Sequence, residues 1–336
     1  RRTQTPTVLV MDVNGMYNSA GAILRGFRDF KPESQIRGVI FNNASAHLYQ
    51  GLSRLAQEQG LLPLGFLAYG DQVSIGSRHL GLITAGEISD IREKVARLGE
   101  MAEQTLNIEG LLALAAEAVP LPPAENQLRP LARARVAVAR DSAFCFLYQE
   151  NLEVLEALGA ELAPFSPLAD RALPDNIQAL YLPGGYPELH LRQLSGNTAM
   201  RRCIREAVNS RLPTIAECGG FLYLHDTLYG YPMAGVLPVK ADRTAKLQRF
   251  GYATITAQKD NLICPAGDSL PVHEFHYYES EDPGRDFQAR RPADGQTWPC
   301  VHANATLYAG FPHLYFYGKP ALAEAFMRKA AAYAAL

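Results

Sequence analysis

The sequence predicts an α/β protein of two domains, each built on a parallel sheet. Short β-branched apolar runs alternate with stretches of helical periodicity along most of the chain, the pattern of strand–helix–strand units. Its 336 residues are about twice the length of a typical domain. A stretch from Val119 to Pro130 with four prolines interrupts the alternation, because proline has no N–H for a helix or a central strand. The expected layout is a first domain over 1–118, a linker over 119–133 and a second domain over 134–336.

The first run, TVLVMDV from Thr7, reads as a strand ending in Asp12, and NGMYNSAGAILRGF after it has helical spacing. The pattern repeats with IRGVIFN (Ile36 to Asn42), a helix in SAHLYQGLSRLAQEQG, and a strand in LLPLGFLAY (Leu61 to Tyr69). Helices are expected around Ile88 to Met101 and Ile108 to Ala118. Beyond the linker come a strand RVAVAR (Arg135 to Arg140), a helix from Gln149 to Leu158, and strands in ELAPF and IQALYLPGG. One long helical segment runs to Asn209, and LPTIAE leads directly into a helix in CGGFLYLHDTL. Alternation and turn residues from Gly235 to Gly310 predict antiparallel strands, and a helix from Lys319 to Ala335 closes the chain.

Composition excludes several classes. The net charge is −2, with 48% hydrophobic and 20% charged residues, which disfavours disorder, collagen and a polybasic nucleic-acid binder. Five cysteines without a CxxC pair indicate neither a disulfide framework nor a zinc finger, so a reducing, cytoplasmic setting is expected. No apolar run reaches about 18 residues, and no membrane span or signal peptide is expected. The chain opens on Arg1 with a strand close behind, and an upstream segment is expected before it.

Cys218 in LPTIAECGGFLYL stands where an apolar strand turns into a helix within about two residues. Such a turn projects the sulfur from the sheet edge, and a helix N-terminus favours the thiolate. Gly219 and Gly220 permit the tight turn and let backbone N–H groups approach an oxyanion beside the sulfur. YLPGGYPELH ends a second strand in a donor-rich loop, so Gly184 and Gly185 are expected to form the other half of that oxyanion site. Of eight histidines, His313 in YAGFPHLYFYGKP follows a strand and precedes the last helix, as a base reaching over the sheet would. His273 and His276 in VHEFHYYE are rivals; on a strand, residues i and i+3 face opposite ways, so substrate contact or a structural role is expected there rather than a metal.

These motifs together, AECGGFLYL, LYLPGGYPELH, HEFHY and a late PHLYF, resemble the glutamine amidotransferase domain of the cobyrinic acid a,c-diamide synthases. PTVLVMDVNGMYNSAGAILRGF, GVIFNN and SRHLGLITAGE resemble the later portion of that family's dethiobiotin-synthetase-like, P-loop NTPase-type ATP-binding domain. The resemblance implies a partial ATP-binding parallel-sheet domain followed by a class I, triad-type glutamine amidotransferase domain. It implies glutamine hydrolysis through Cys218 and His313, with Gly185 and Gly219 around the oxyanion, and ATP with Mg²⁺ to activate the a and c acetates of a corrinoid, cobyrinic acid.

Asn42 matches the position expected to meet adenine, with a strand-end turn cap as the alternative. Asp12 is a candidate for Mg²⁺ or water, or a cap for its own loop. Arg78 and His79 are candidates for phosphate or corrinoid carboxylates, or a solvated loop. Two departures stand out. No GxxxxGK[ST] occurs, so the phosphate loop is expected upstream and this chain alone is expected to carry out only the glutaminase half-reaction. Tyr315 stands two residues after His313, where many amidotransferases have an acid, so orientation must come from elsewhere, Glu274 or a backbone carbonyl being the candidates. Hydrogenobyrinic acid and nickel-sirohydrochlorin stay open as substrates, and a non-catalytic, glutamine-sensing or partner-docking module stays open as another class. The residues do not fix the oligomeric state, and a homodimer stays open.

Overall fold

The computed structural model describes residues 3–31, 33–70, 73–75, 77–78, 81–82, 88–122 and 128–333, with backbone alone at 77, 78, 81 and 82. It divides into two compact units, residues 1–125 and 126–336.

The first unit runs β1 (Thr7–Asp12), α1 (Asn18–Asp29), β2 (Ile36–Asn42), α2 (Ala46–Glu58), β3 (Leu62–Leu67), β4 (Ser77–Arg78), β5 (Gly81–Leu82), α3 (Ile91–Thr105) and α4 (Ile108–Ala116). Strands β1, β2 and β3 pair in that order, all parallel, as the strand–helix alternation predicts. The core on one face joins Met11, Val39 and Phe41 to Leu24 of α1 and Leu52 and Ala56 of α2. On the other face Ile40 and Leu64 pack with Leu114 of α4. SRHLGL, expected as a loop, contains instead a short antiparallel pair, β4 with β5.

The second unit runs β6 (Ala134–Ala139), α5 (Gln149–Ala157), β7 (Ala160–Phe165), β8 (Ala179–Leu182), α6 (Leu191–Gly196), α7 (Thr198–Asn209), β9 (Thr214–Glu217), α8 (Gly219–Leu224), β10 (His225–Leu228), β11 (Tyr231–Pro232), β12 (Leu237–Arg243), β13 (Arg249–Ala257), β14 (Ser269–His276), β15 (Tyr278–Ser280), β16 (Phe287–Arg290), β17 (Thr297–Cys300), β18 (His302–Ala303), β19 (Leu307–Gly310) and α9 (Ala321–Tyr333). Its central sheet has the order β18-β19-β9-β8-β6-β7, parallel except for β18. Both faces are covered, so strands such as ALYL and TIAE are buried at every residue. Val136, Val138, Tyr181 and Ile215 face α9 and the antiparallel β13–β17 region. Ala137, Ala139, Leu180, Leu182 and Ala216 face Met200 and Ile204 of α7 and the helix α8.

Three expectations need correction. The long helix before Asn209 is broken into α6 and α7, because the Asn197 side chain accepts from Met200 N (3.3 Å) and starts a new helix there. The helix after Cys218 stops at Leu224, where the His225 ring bonds Phe221 O (2.9 Å) and Ser280 Oγ (2.7 Å) and the backbone turns extended into β10. The Gly235 to Gly310 region is antiparallel apart from β12, which runs parallel to β10, and β19, which runs parallel to β9.

Candidate active site

Three neighbouring strands of the central sheet end side by side and each delivers one part of the site. In β8 and β9 Leu182 pairs with Ala216, and in β9 and β19 Glu217 pairs with Gly310. Pro183, Gly184 and Gly185 therefore follow β8, Cys218 follows β9 and His313 lies three residues beyond β19, all at the carboxyl edge where open parallel sheets place ligands.

Cys218 has φ 45° and ψ −99°, a left-handed backbone that a non-glycine residue adopts only where its surroundings impose it. The turn is tied down on both sides, Cys218 N donating to Gly310 O (2.8 Å) and Gly220 N to Pro183 O (2.9 Å). The amide of Gly219, at the first helical position, has no acceptor within α8. A Cβ on Gly219 would come within 2.8 Å of Gly185 N, so the backbones of the two glycines expected at the oxyanion pass close together. A Cβ on Gly184 would stand 2.5 Å from His313 Cε1, which leaves glycine as the residue that admits the imidazole.

His313 is buried and gripped from several directions. Its backbone N–H donates to His273 O (2.9 Å), and the Phe146 ring lies edge-on to the imidazole at 4.8 Å. Asn151 clamps the segment beyond it, donating to Leu314 O (2.9 Å) and accepting from Phe316 N (2.8 Å). Burial alone would lower the imidazole's pKa, but interaction with the Cys218 thiol, and after it with the Glu217 carboxylate, raises it to about 10. The ring therefore holds a proton at neutral pH, beside the Cys218 sulfur.

Glu217 is 1% exposed; its Oε1 accepts from Leu314 N (3.1 Å) and its Oε2 from Tyr181 OH (3.2 Å). The same Oε2 lies 3.7 Å from His313 Nδ1. Burial first, and then the charge of Glu217, push the Tyr181 hydroxyl far above its usual range, so it remains a proton donor.

A cysteine on a strained strand-to-helix turn, a protonated imidazole beside it and two close glycine backbones are the parts that acyl transfer through a cysteine requires. A family model described as the CobB/CobQ-like glutamine amidotransferase domain matches residues 135–321, more than half of the chain. The chain belongs to this family. It is 35% identical over 347 residues to a cobyrinate a,c-diamide synthase of Dehalococcoides mccartyi, covering 98% of this chain and 74% of that one. A cobyrinate a,c-diamide synthase of Caldanaerobacter subterraneus subsp. tengcongensis is 33% identical over 321 residues, covering 93% and 71% respectively. Among solved structures, PurLQS from Thermotoga maritima aligns at 14% identity with a TM-score of 0.44, over 60% of this chain and 99% of that one, a likeness that adds nothing to the assignment.

The other expected site residues lie apart from this family's amidotransferase motifs or in supporting roles. His273 meets His313 through its backbone carbonyl, and its own ring packs on Tyr252 (5.4 Å) and Phe250 (6.2 Å). His276, on the opposite face of β14, is buried; it stacks on Phe311 (3.7 Å), and its Nδ1 bonds Tyr278 O (2.7 Å). Glu274 does not orient His313: its carboxylate stands 3.8 Å from His276. In the first unit Asp12 is exposed; it accepts from Asn14 N (2.9 Å), as a loop cap does, and from Asn43 Nδ2 (3.0 Å) beyond the end of β2. Asn42 is half-buried and pairs in register with Asp12. Of Arg78 the backbone alone is described, and His79 lies outside the described residues.

Sequence reasoning missed Glu217, Tyr181, Asn151 and Phe146. A carboxylate inside an otherwise apolar central strand, TIAE, was the signal available for the first of them.

Proposed function

We propose that this protein hydrolyses glutamine at Cys218 and that the ammonia amidates the a and c acetate carboxylates of a corrinoid, cobyrinic acid; the relatives' name, cobyrinate a,c-diamide synthase, supports the choice of substrate. The convergence of Cys218, His313 and the 183–185 loop on three adjacent strand ends carries the glutaminase part of this reading. With the Cys218 proton held on His313, the sulfur attacks the glutamine side-chain carbonyl as the thiolate, and the amides of Gly185 and Gly219 face the oxyanion. His313 gives its proton to the departing nitrogen, so ammonia leaves and a thioester forms. Neutral His313 then takes a proton from water, whose oxygen displaces the sulfur to give glutamate. We place this chemistry in the cytoplasm, where the free thiols stay reduced.

For the first unit we propose the later part of a dethiobiotin-synthetase-like ATP-binding fold, a reading its parallel β1–β3 sheet supports. ATP with Mg²⁺ would convert the acetates into electrophiles. The described residues do not fit a Mg²⁺–triphosphate cradle, since both Asp12 oxygens are engaged, one by Asn14 N and one by Asn43 Nδ2, and no cluster of three or more metal-ligating side chains occurs among them. No activation step is therefore assigned to them.

Glutamine hydrolysis by the chain and by Cys218→Ala, with mass detection of Cys218 labelled by an electrophilic glutamine analogue, tests the first half. Hydrolysis and labelling that vanish in the variant support it; glutamine binding with neither favours a non-catalytic module. Cobyrinic acid, hydrogenobyrinic acid and nickel-sirohydrochlorin, each with ATP and Mg²⁺, test the substrate by the mass of the amidated product.

A further inference from the structure

A histidine that serves a cysteine nucleophile needs a partner at Nδ1 to fix its tautomer and ring angle. Tyr315, at the position where amidotransferases commonly carry that partner, is 44% exposed and packs edge-on against Tyr148 (5.6 Å). We propose that Glu217 is the positioning acid of this site, placed directly before the nucleophile in the chain and holding His313 through Nδ1 so that the other ring nitrogen serves Cys218. This rests on the glutaminase reading above.

His313 Nδ1 is buried with no hydrogen-bond partner, and the carboxylate facing it is Glu217 Oε2 at 3.7 Å, close enough for a small ring rotation to close a hydrogen bond. The carboxylate cannot swing away. One oxygen is held by Leu314 N–H and the other by the Tyr181 hydroxyl, which in turn accepts from Asn151 Nδ2 (3.3 Å). Asn151 also holds the backbone on the far side of His313, so one buried network fixes both acid and base. Consecutive strand residues point to opposite faces, which would separate Glu217 from Cys218. The left-handed φ at Cys218 breaks that alternation, and both residues act on one imidazole. The ionisable groups that bear on the ring are Cys218, Glu217 and His273.

The test compares wild type with Glu217→Gln, Glu217→Asp and Tyr181→Phe in two readouts. Steady-state glutamine hydrolysis is one; the pH profile of Cys218 alkylation by iodoacetamide, which needs no turnover, is the other. Glu217→Gln is expected to lower kcat about 10²-fold or more while KM stays within about threefold. It also moves the imidazole midpoint of the alkylation profile down by at least about one pH unit. Glu217→Asp recovers part of the lost kcat, and Tyr181→Phe moves both readouts the same way by less. A folded Glu217→Gln protein with wild-type kcat and an unmoved profile overturns the proposal. If that variant does not fold, an unmoved profile in Tyr181→Phe overturns it. Wild type that alkylates normally yet hydrolyses no glutamine sinks the glutaminase reading instead, and the profiles still decide the Glu217–His313 pairing.

Discussion

Both units end a parallel strand in a carboxylate, Asp12 on β1 and Glu217 on β9, and the two have opposite fates. Asp12 is exposed; it bonds Asn14 in its own loop and Asn43 in the loop that follows the neighbouring β2. Glu217 is 1% exposed and bonds groups 36 and 97 residues away in the chain, Tyr181 and Leu314. Water can replace what an exposed carboxylate loses, so such bonds contribute only about 1 kcal/mol. A buried carboxylate has no such replacement and must be held by fixed donors and an opposing charge. The same residue class at the same topological place thus becomes a cap in one unit and part of a reactive cluster in the other.

The sharpest way to break this contrast is Gly184→Ala. The new methyl would meet His313 Cε1 at 2.5 Å and displace the imidazole. Glutamine hydrolysis should fall about 10²-fold or more, measured as kcat/KM. Unchanged kinetics would mean that the base is not confined as the buried cluster requires.

A second prediction sets two buried histidines of the second unit, His225 and His313, against each other. Burial lowers the His225 pKa to about 4, the largest influence on it, whereas the partners of His313 raise it to about 10. Below the ordinary histidine pKa the unfolded chain binds a proton at residue 225 that the native state refuses, so stability is lost as pH falls from about 6.5 towards 4, by at most about 3 kcal/mol. His313 runs the other way: its contribution is complete below about 6.5 and disappears as pH rises through about 10. Urea unfolding across pH should show both flanks. His225→Gln should flatten the acid one, and an acid flank unchanged by that substitution would contradict the assignment.

The smallest effect belongs to the exposed carboxylate. Asp12→Ala removes two hydrogen bonds at the surface and should cost about 0.5–1.5 kcal/mol in urea unfolding. A loss as large as that of a buried pair would erase the distinction between the two strand ends.

Much of this was legible from the residues. The β1 to β3 and β6 to β9 alternation, the turn at Cys218 and the loop after β8 are written in apolar runs of a few residues and in glycines at defined offsets, so neighbouring residues suffice to read them. His313 could be singled out because it stands shortly after a strand and before the last helix. Its partner could not: Tyr315 occupies the familiar place of the acid, and Glu274 was as good a candidate as any other buried acid until β14 turned it towards His276.

By itself, then, the sequence determined the α/β class, the family and the pair Cys218 and His313, because each rests on local periodicity or on a short motif. Tertiary structure alone decided which carboxylate meets the imidazole. Glu217 and His313 are brought together by the pairing of β9 with β19, a contact between distant segments, and adjacent strand residues face a common partner only because the backbone reverses at Cys218.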